Sequence, residues 1–113
     1  MFKNYLTYHL VVKFHRECAV LELPYALRNR LIQSLETLIH HFACSVHTPD
    51  RKEELRHLCV SLMSLRDAKE SLDLTGALSN ADLKKQFTVL HERLEALCLK
   101  ASETENGQLR LFG

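Results

Sequence analysis

His40, Cys44 and His47 stand at i, i+4 and i+7 on one side of a helical segment. Imidazole nitrogen and thiolate sulfur at that spacing are ligands that suit zinc. A fourth ligand would have to come from elsewhere, for instance a neighbouring subunit, and the chain offers no second ligand pair such as C-x-x-C. The sequence therefore assigns no metal and no cofactor. Asp67, Glu70 and Asp73 share a helix, but Arg66 and Lys69 are interleaved with them. That is the pattern of a solvated, salt-bridged face, not of a paired acid and base. A Gly-rich phosphate loop, H-E-x-x-H and G-x-S-x-G are all missing, so no catalytic residue is assigned and the chain reads as a non-enzyme.

The basic groups suggest binding. His9, Lys13 and Arg16 lie along one strip of the first predicted helix. Arg28 and Arg30 open the second, and Arg51, Lys52 and Arg56 open the third. Cations placed this way can meet phosphates, each contact adding salt-dependent affinity. Net charge is only +1, from 15 Lys and Arg against 14 Asp and Glu. A dedicated nucleic-acid binder carries a stronger excess. The balance is uneven: residues 1–66 hold nine basic and six acidic groups, and six of the seven histidines. A ring of identical subunits would repeat each patch, so weak contacts would add as avidity.

Punctuation by Pro24, Pro49 and the Gly76 region divides the chain into four segments without internal Pro or Gly. That is the pattern of helices joined by short turns. The first spans about Asn4 to Glu22 and places Leu6, Leu10, Phe14, Cys18 and Leu21 on a core face. Tyr5, Tyr8, Val12 and Ala19 make a second apolar face, and Tyr5, Tyr8 and Val12 are read as a subunit contact. The second begins at Pro24 and carries Leu27, Leu31, Leu35, Leu38 and Phe42. The third begins at Thr48-Pro49-Asp50 and carries Leu55, Leu58, Leu62, Leu65 and Leu72. The fourth begins with Ser79 as cap and carries Leu83, Phe87, Leu90, Leu94, Leu97 and Ala101. Such helices predict an all-α, antiparallel up-down four-helix bundle over residues 1–101. From Ser102 the composition turns polar, and residues 102–113 are read as a flexible tail that does not hold a helix.

The 113 residues make one domain. No apolar run reaches the length of a membrane span and the N-terminus is too polar for a signal peptide, so no membrane partner and a cytoplasmic location are expected. Cys18, Cys44, Cys59 and Cys98 fall on four different segments and read as small, reduced residues at or near the core.

Two stretches, L-P-Y-A-L-R-N-R-L (Leu23 to Leu31) and K-E-E-L-R-H-L-C-V-S-L-M-S-L-R-D-A-K-E-S-L-D-L-T (Lys52 to Thr75), resemble the four-helix-bundle proteins encoded in 23S rRNA intervening sequences. They are also similar to the Avd proteins, accessory factors of diversity-generating retroelements. The intervening-sequence proteins carry N-I-A-E-G at the end of the second helix, where this chain has His41-Phe42-Ala43-Cys44-Ser45; the Avd branch is the better match. The resemblance implies a homopentameric barrel of four-helix bundles. It also implies binding to a reverse transcriptase and to its template RNA, without catalysis. DNA is the other nucleic acid such a surface could hold. As an alternative, the chain is a protein-interaction scaffold: Gln108, Leu109, Arg110, Leu111 and Phe112 resemble the Q-L-x-L-F peptide that docks on the bacterial replication sliding clamp. There two Leu and a Phe would enter an apolar pocket with Gln as a polar anchor.

Overall fold

A computed structural model describes the backbone of residues 4–112 and the side chains of residues 4–103. Four helices account for nearly all of it: α1 (Tyr5–Ala19), α2 (Tyr25–His47), α3 (Arg51–Thr75) and α4 (Ala81–Phe112). A 3₁₀ turn at Ala77–Ser79 precedes α4, and no strand occurs among the described residues.

Local chemistry sets the ends. Asp50 caps α3, its carboxylate accepting from the Lys52 amide at 2.9 Å, which satisfies one of the orphan donors of the first turn. Gly76 ends α3 at φ 73°, a left-handed conformation that costs glycine nothing. Its amide donates to the carbonyls of Asp73 and Leu72. The cap of α4 is Asn80 and not Ser79: Asn80 Oδ1 accepts from the Leu83 amide at 3.1 Å. Ser79 is taken up by the 3₁₀ turn, which moves the helix start on.

The helices contact one another in a closed cycle, α1 with α2, α2 with α3, α3 with α4 and α4 with α1, and the α2–α3 contact is the most extensive. Arg30 near the start of α2 meets Glu70 near the end of α3, whereas His41 near the end of α2 meets His57 near the start of α3. The common core joins Phe14 of α1, Leu35, Leu38 and Phe42 of α2, Leu58, Leu65 and Leu72 of α3, and Phe87, Leu90 and Leu94 of α4. Among the described residues, no helix is long and apolar enough to cross a membrane.

Two expectations need correction. The buried stripe of α1 is Thr7, Val11, Phe14 and Cys18, rotated from the Leu6–Leu10 line. Leu6 is 56% exposed, whereas Val11 is fully buried. The reason lies in Tyr8, which packs on the core with its ring 6.2 Å from that of Phe42. Engaging that bulky ring turns Leu6 outward. The second concerns α4, whose helical backbone continues to Phe112, past the start of the tail at residue 102. The polar stretch contains no proline, and its Ser, Glu and Thr cost a helix only tenths of a kcal/mol each; Gly107 costs about 1 kcal/mol. Composition alone does not stop a helix already propagating. The side chains of Gln108, Leu109, Leu111 and Phe112 lie outside the described residues.

α3 also buries Ser61, Ser64 and Ser71. Ser61 Oγ donates to the Leu38 carbonyl across the α2–α3 contact at 3.3 Å. Ser71 Oγ is buried with no partner among the described residues. Ser71→Ala removes that unsatisfied hydroxyl and improves helix propensity, so it should raise unfolding stability by about 1 kcal/mol. Val11→Ala should cost about 2 kcal/mol, whereas Leu6→Ala should stay within about 0.5 kcal/mol. Urea titration of the three variants reads all three signs, and equal losses at Val11 and Leu6 would overturn the rotated stripe.

Candidate nucleic-acid interface

On the outer side of α1, Tyr5, Tyr8, His9, Val12, Lys13 and Arg16 line one shallow groove. Steps of three and four bring these residues to one side of a helix. Tyr5 stacks on His9, centroids 6.2 Å apart. The groove therefore holds aromatic faces beside cations. Tyr8 has a double role: one part of the ring packs on the core, and the remainder borders the groove. Only part of its surface is left for a neighbour, while Tyr5 is 44% exposed. The proposed subunit residues and the basic strip of α1 are thus one continuous surface, not two separate faces.

The other basic residues divide between the two ends of the molecule. Arg28 donates to the carbonyl of Ala19, the last residue of α1, at 3.1 Å. Arg51 lines a hollow with Asn4 and Lys100 at the opposite end, where α1 and α3 begin. Arg30 is paired with Glu70 at 2.8 Å, and Arg56 with Glu53. Both pairs are largely exposed, so each holds its cation by about 1 kcal/mol or less and a phosphate can displace the carboxylate. Lys13, Arg16, Arg51 and Lys52 form no ion pair among the described residues. Arg51 and Lys52 occupy the first turn of α3, the positive end of the helix dipole, where a cation is disfavoured and an anion welcome. Glu53 and Glu54 offset this within the same turn.

The histidines do not gather as ligands. His40 Nε2 lies 3.9 Å from Cys44 Sγ, but among the described residues no group of three or more His, Cys, Asp and Glu side chains could hold a metal ion. Instead, His41 turns to α3, its Nδ1 2.9 Å from Nδ1 of His57. One ring must donate and the other accept, so this contact tolerates a proton on only one of the two facing nitrogens. The pairing was not anticipated, although His41 and His57 are equidistant from Pro49; for two helices folded back on that turn, equal distance is the available signal. Arg66 reaches the His91 ring at 3.2 Å and Glu95 at 3.6 Å in the same way across α3 and α4.

Compared with known proteins, the chain matches no family model, and no curated protein or solved structure is significantly similar to it.

The packing of His41 between α2 and α3, against His57, makes stability depend on pH. Burial, then the neighbouring His57 and His40, hold the His41 pKa below its ordinary 6.5. In the window between the lowered folded value and 6.5, the unfolded chain binds more protons than the folded one. Stability is therefore full above that window and falls as pH drops through it. Thermal unfolding between pH 7.5 and 5 should show this decline, and His41→Asn should flatten it; an unchanged slope in the variant would assign the decline to other groups.

Proposed function

We propose that this chain is a non-catalytic accessory protein that binds nucleic acid as a homo-oligomer. Its subunit is an antiparallel up-down four-helix bundle and its assembly a pentameric ring. The observation that carries this reading is the α1 groove, where Tyr5, Tyr8 and Val12 adjoin His9, Lys13 and Arg16. Such a surface serves two ligands side by side. Its apolar part suits a second copy of the chain, and its cations suit phosphate oxygens, with exposed aromatic rings available to stack on unpaired bases.

RNA, as the template of a retroelement, and a reverse transcriptase are the partners we assign; both rest on the resemblance to the Avd proteins. Lys13, Arg16, Arg51 and Lys52 are the leading phosphate contacts, because no carboxylate has to be displaced first. Arg28, Arg30 and Arg56 are secondary. With cations at both ends of each subunit, a ring would present two basic rims. That arrangement reconciles a near-neutral subunit with binding, since repeated weak contacts add.

Fluorescence anisotropy with a labelled single-stranded RNA should show binding at low salt that weakens steeply as salt rises. Lys13→Ala with Arg16→Ala should reduce the slope of log K against log salt by roughly 0.7 for each phosphate that is no longer neutralised. No binding of RNA or DNA at low salt would end this reading. Light scattering should give an oligomer for the unaltered chain and smaller species for Tyr5→Glu or Val12→Glu; a monomeric unaltered chain would remove the ring.

A further inference from the structure

Cys59 on α3 and Cys98 on α4 line one groove between the two helices, together with Leu55, Leu62, Glu95 and Leu99. The two thiols are near enough to act on each other electrostatically, and the charged groups beside them are Arg66 and Glu95. Cys59 is exposed and Cys98 half-buried, and both are free. Their placement is fixed by the packing around them: α3 and α4 are in direct contact, and Arg66 spans the same pair of helices to His91 and Glu95. Cys18, by comparison, is fully buried in the core, which makes it inert to oxidants from solution.

We propose that Cys59 and Cys98 form a two-thiol site at which hydroperoxides generate an intramolecular disulfide, bonding α3 to α4 across the groove. Cys59, the accessible thiol, loses its proton and attacks the peroxide O–O bond. One oxygen stays on sulfur as a sulfenic acid, and the other leaves and is protonated to water. The Cys98 sulfur then attacks the sulfenic sulfur. An S–S bond forms, and the sulfenic hydroxyl departs with the Cys98 proton as a second water. Two thiol hydrogens and two electrons thus reduce one hydrogen peroxide to two waters.

The surroundings give the two sulfurs this order. Burial, then the neighbouring Cys59, push the Cys98 pKa up to about 12, with Arg66 opposing and Glu95 adding to the rise. A thiol so protonated is a poor first nucleophile. Once Cys59 carries a sulfenic hydroxyl, its sulfur is an electrophile in the same groove, and Cys98 attacks it as the thiol proton leaves with that hydroxyl.

The test uses the full chain without nucleic acid. Hydrogen peroxide is titrated in and removed, the chain is unfolded in urea so that every remaining thiol is alkylated with iodoacetamide, and peptides are mapped by mass spectrometry. Cys59 and Cys98 should lose reactivity together and appear as one cross-linked peptide that dithiothreitol reverses. In Cys98→Ser, Cys59 should persist as a sulfenic acid captured by dimedone. In Cys59→Ser, Cys98 should stay alkylatable at the same peroxide dose. A Cys59 disulfide between two copies with Cys98 still reactive would overturn the proposal. So would loss of the two thiols at unrelated doses. The cross-linked peptide from the unaltered chain decides the matter even if a serine variant fails to fold.

Discussion

Along α3, Ser61, Ala68 and Ser71 present small side chains to the interior on the stripe that also carries Ser64. Small groups there let the α2 backbone approach closely enough for a serine hydroxyl to reach the Leu38 carbonyl. The α2–α3 pair consequently forms the largest contact in the molecule, and its register fixes the rest. It sets Arg30 against Glu70 and His41 against His57. It also presents Leu35, Leu38 and Phe42 together with Leu58, Leu65 and Leu72 as one apolar surface for α1 and α4 to cover. Close packing of this kind is sensitive to single methyl groups, because protein interiors leave few voids to absorb a change in volume.

α1 is the lesser partner in this arrangement, with 15 residues against 23 and 25 for α2 and α3. It contributes Val11, Phe14 and Cys18 to the core, and it leaves a mixed aromatic and basic side outward. That outward side is the chemically distinctive surface of the bundle. The rest of the surface is laced with exposed ion pairs such as Lys69 with Asp73 and Arg66 with Glu95. Those pairs keep the surface hydrated and add little stability.

Much of this was legible in the sequence. The clean 4-3-4 spacing of Leu83, Phe87, Leu90 and Leu94 forces one face of α4 inward, and all four are buried. The same holds for Leu31, Leu35, Leu38 and Phe42 of α2. α1 was harder, because two apolar stripes compete and the winner depends on Tyr8 meeting Phe42, a long-range fact that periodicity does not contain. Buried serines on α3 were missed for a related reason: a hydroxyl scores as polar, yet it can be satisfied internally, as Ser45 is by the Phe42 carbonyl at 2.6 Å. The outward turn of Cys59 defeated the rule that free cysteine is buried. In the candidate interface, the residues of α1 came together as one groove, whereas those of α2 and α3 separated to opposite ends. Helix direction, not residue type, decides which basic residues become neighbours.

Polar pairs across α2 and α3 are arranged symmetrically about Pro49 and Asp50, and Cys59 and Cys98 are arranged symmetrically about Leu78 and Ser79. The two turns act as mirrors, and this governs how the gene can change length. A codon gained inside α3 between Ser61 and Ser71 would rotate everything after it by about 100° and slide it about 1.5 Å, carrying the small side chains away from α2. A codon gained beside Gly76 would only lengthen the turn and leave both facing helices in phase. Insertions and deletions should therefore accumulate at the turns among descendants of this chain, while its helices diverge by substitution alone.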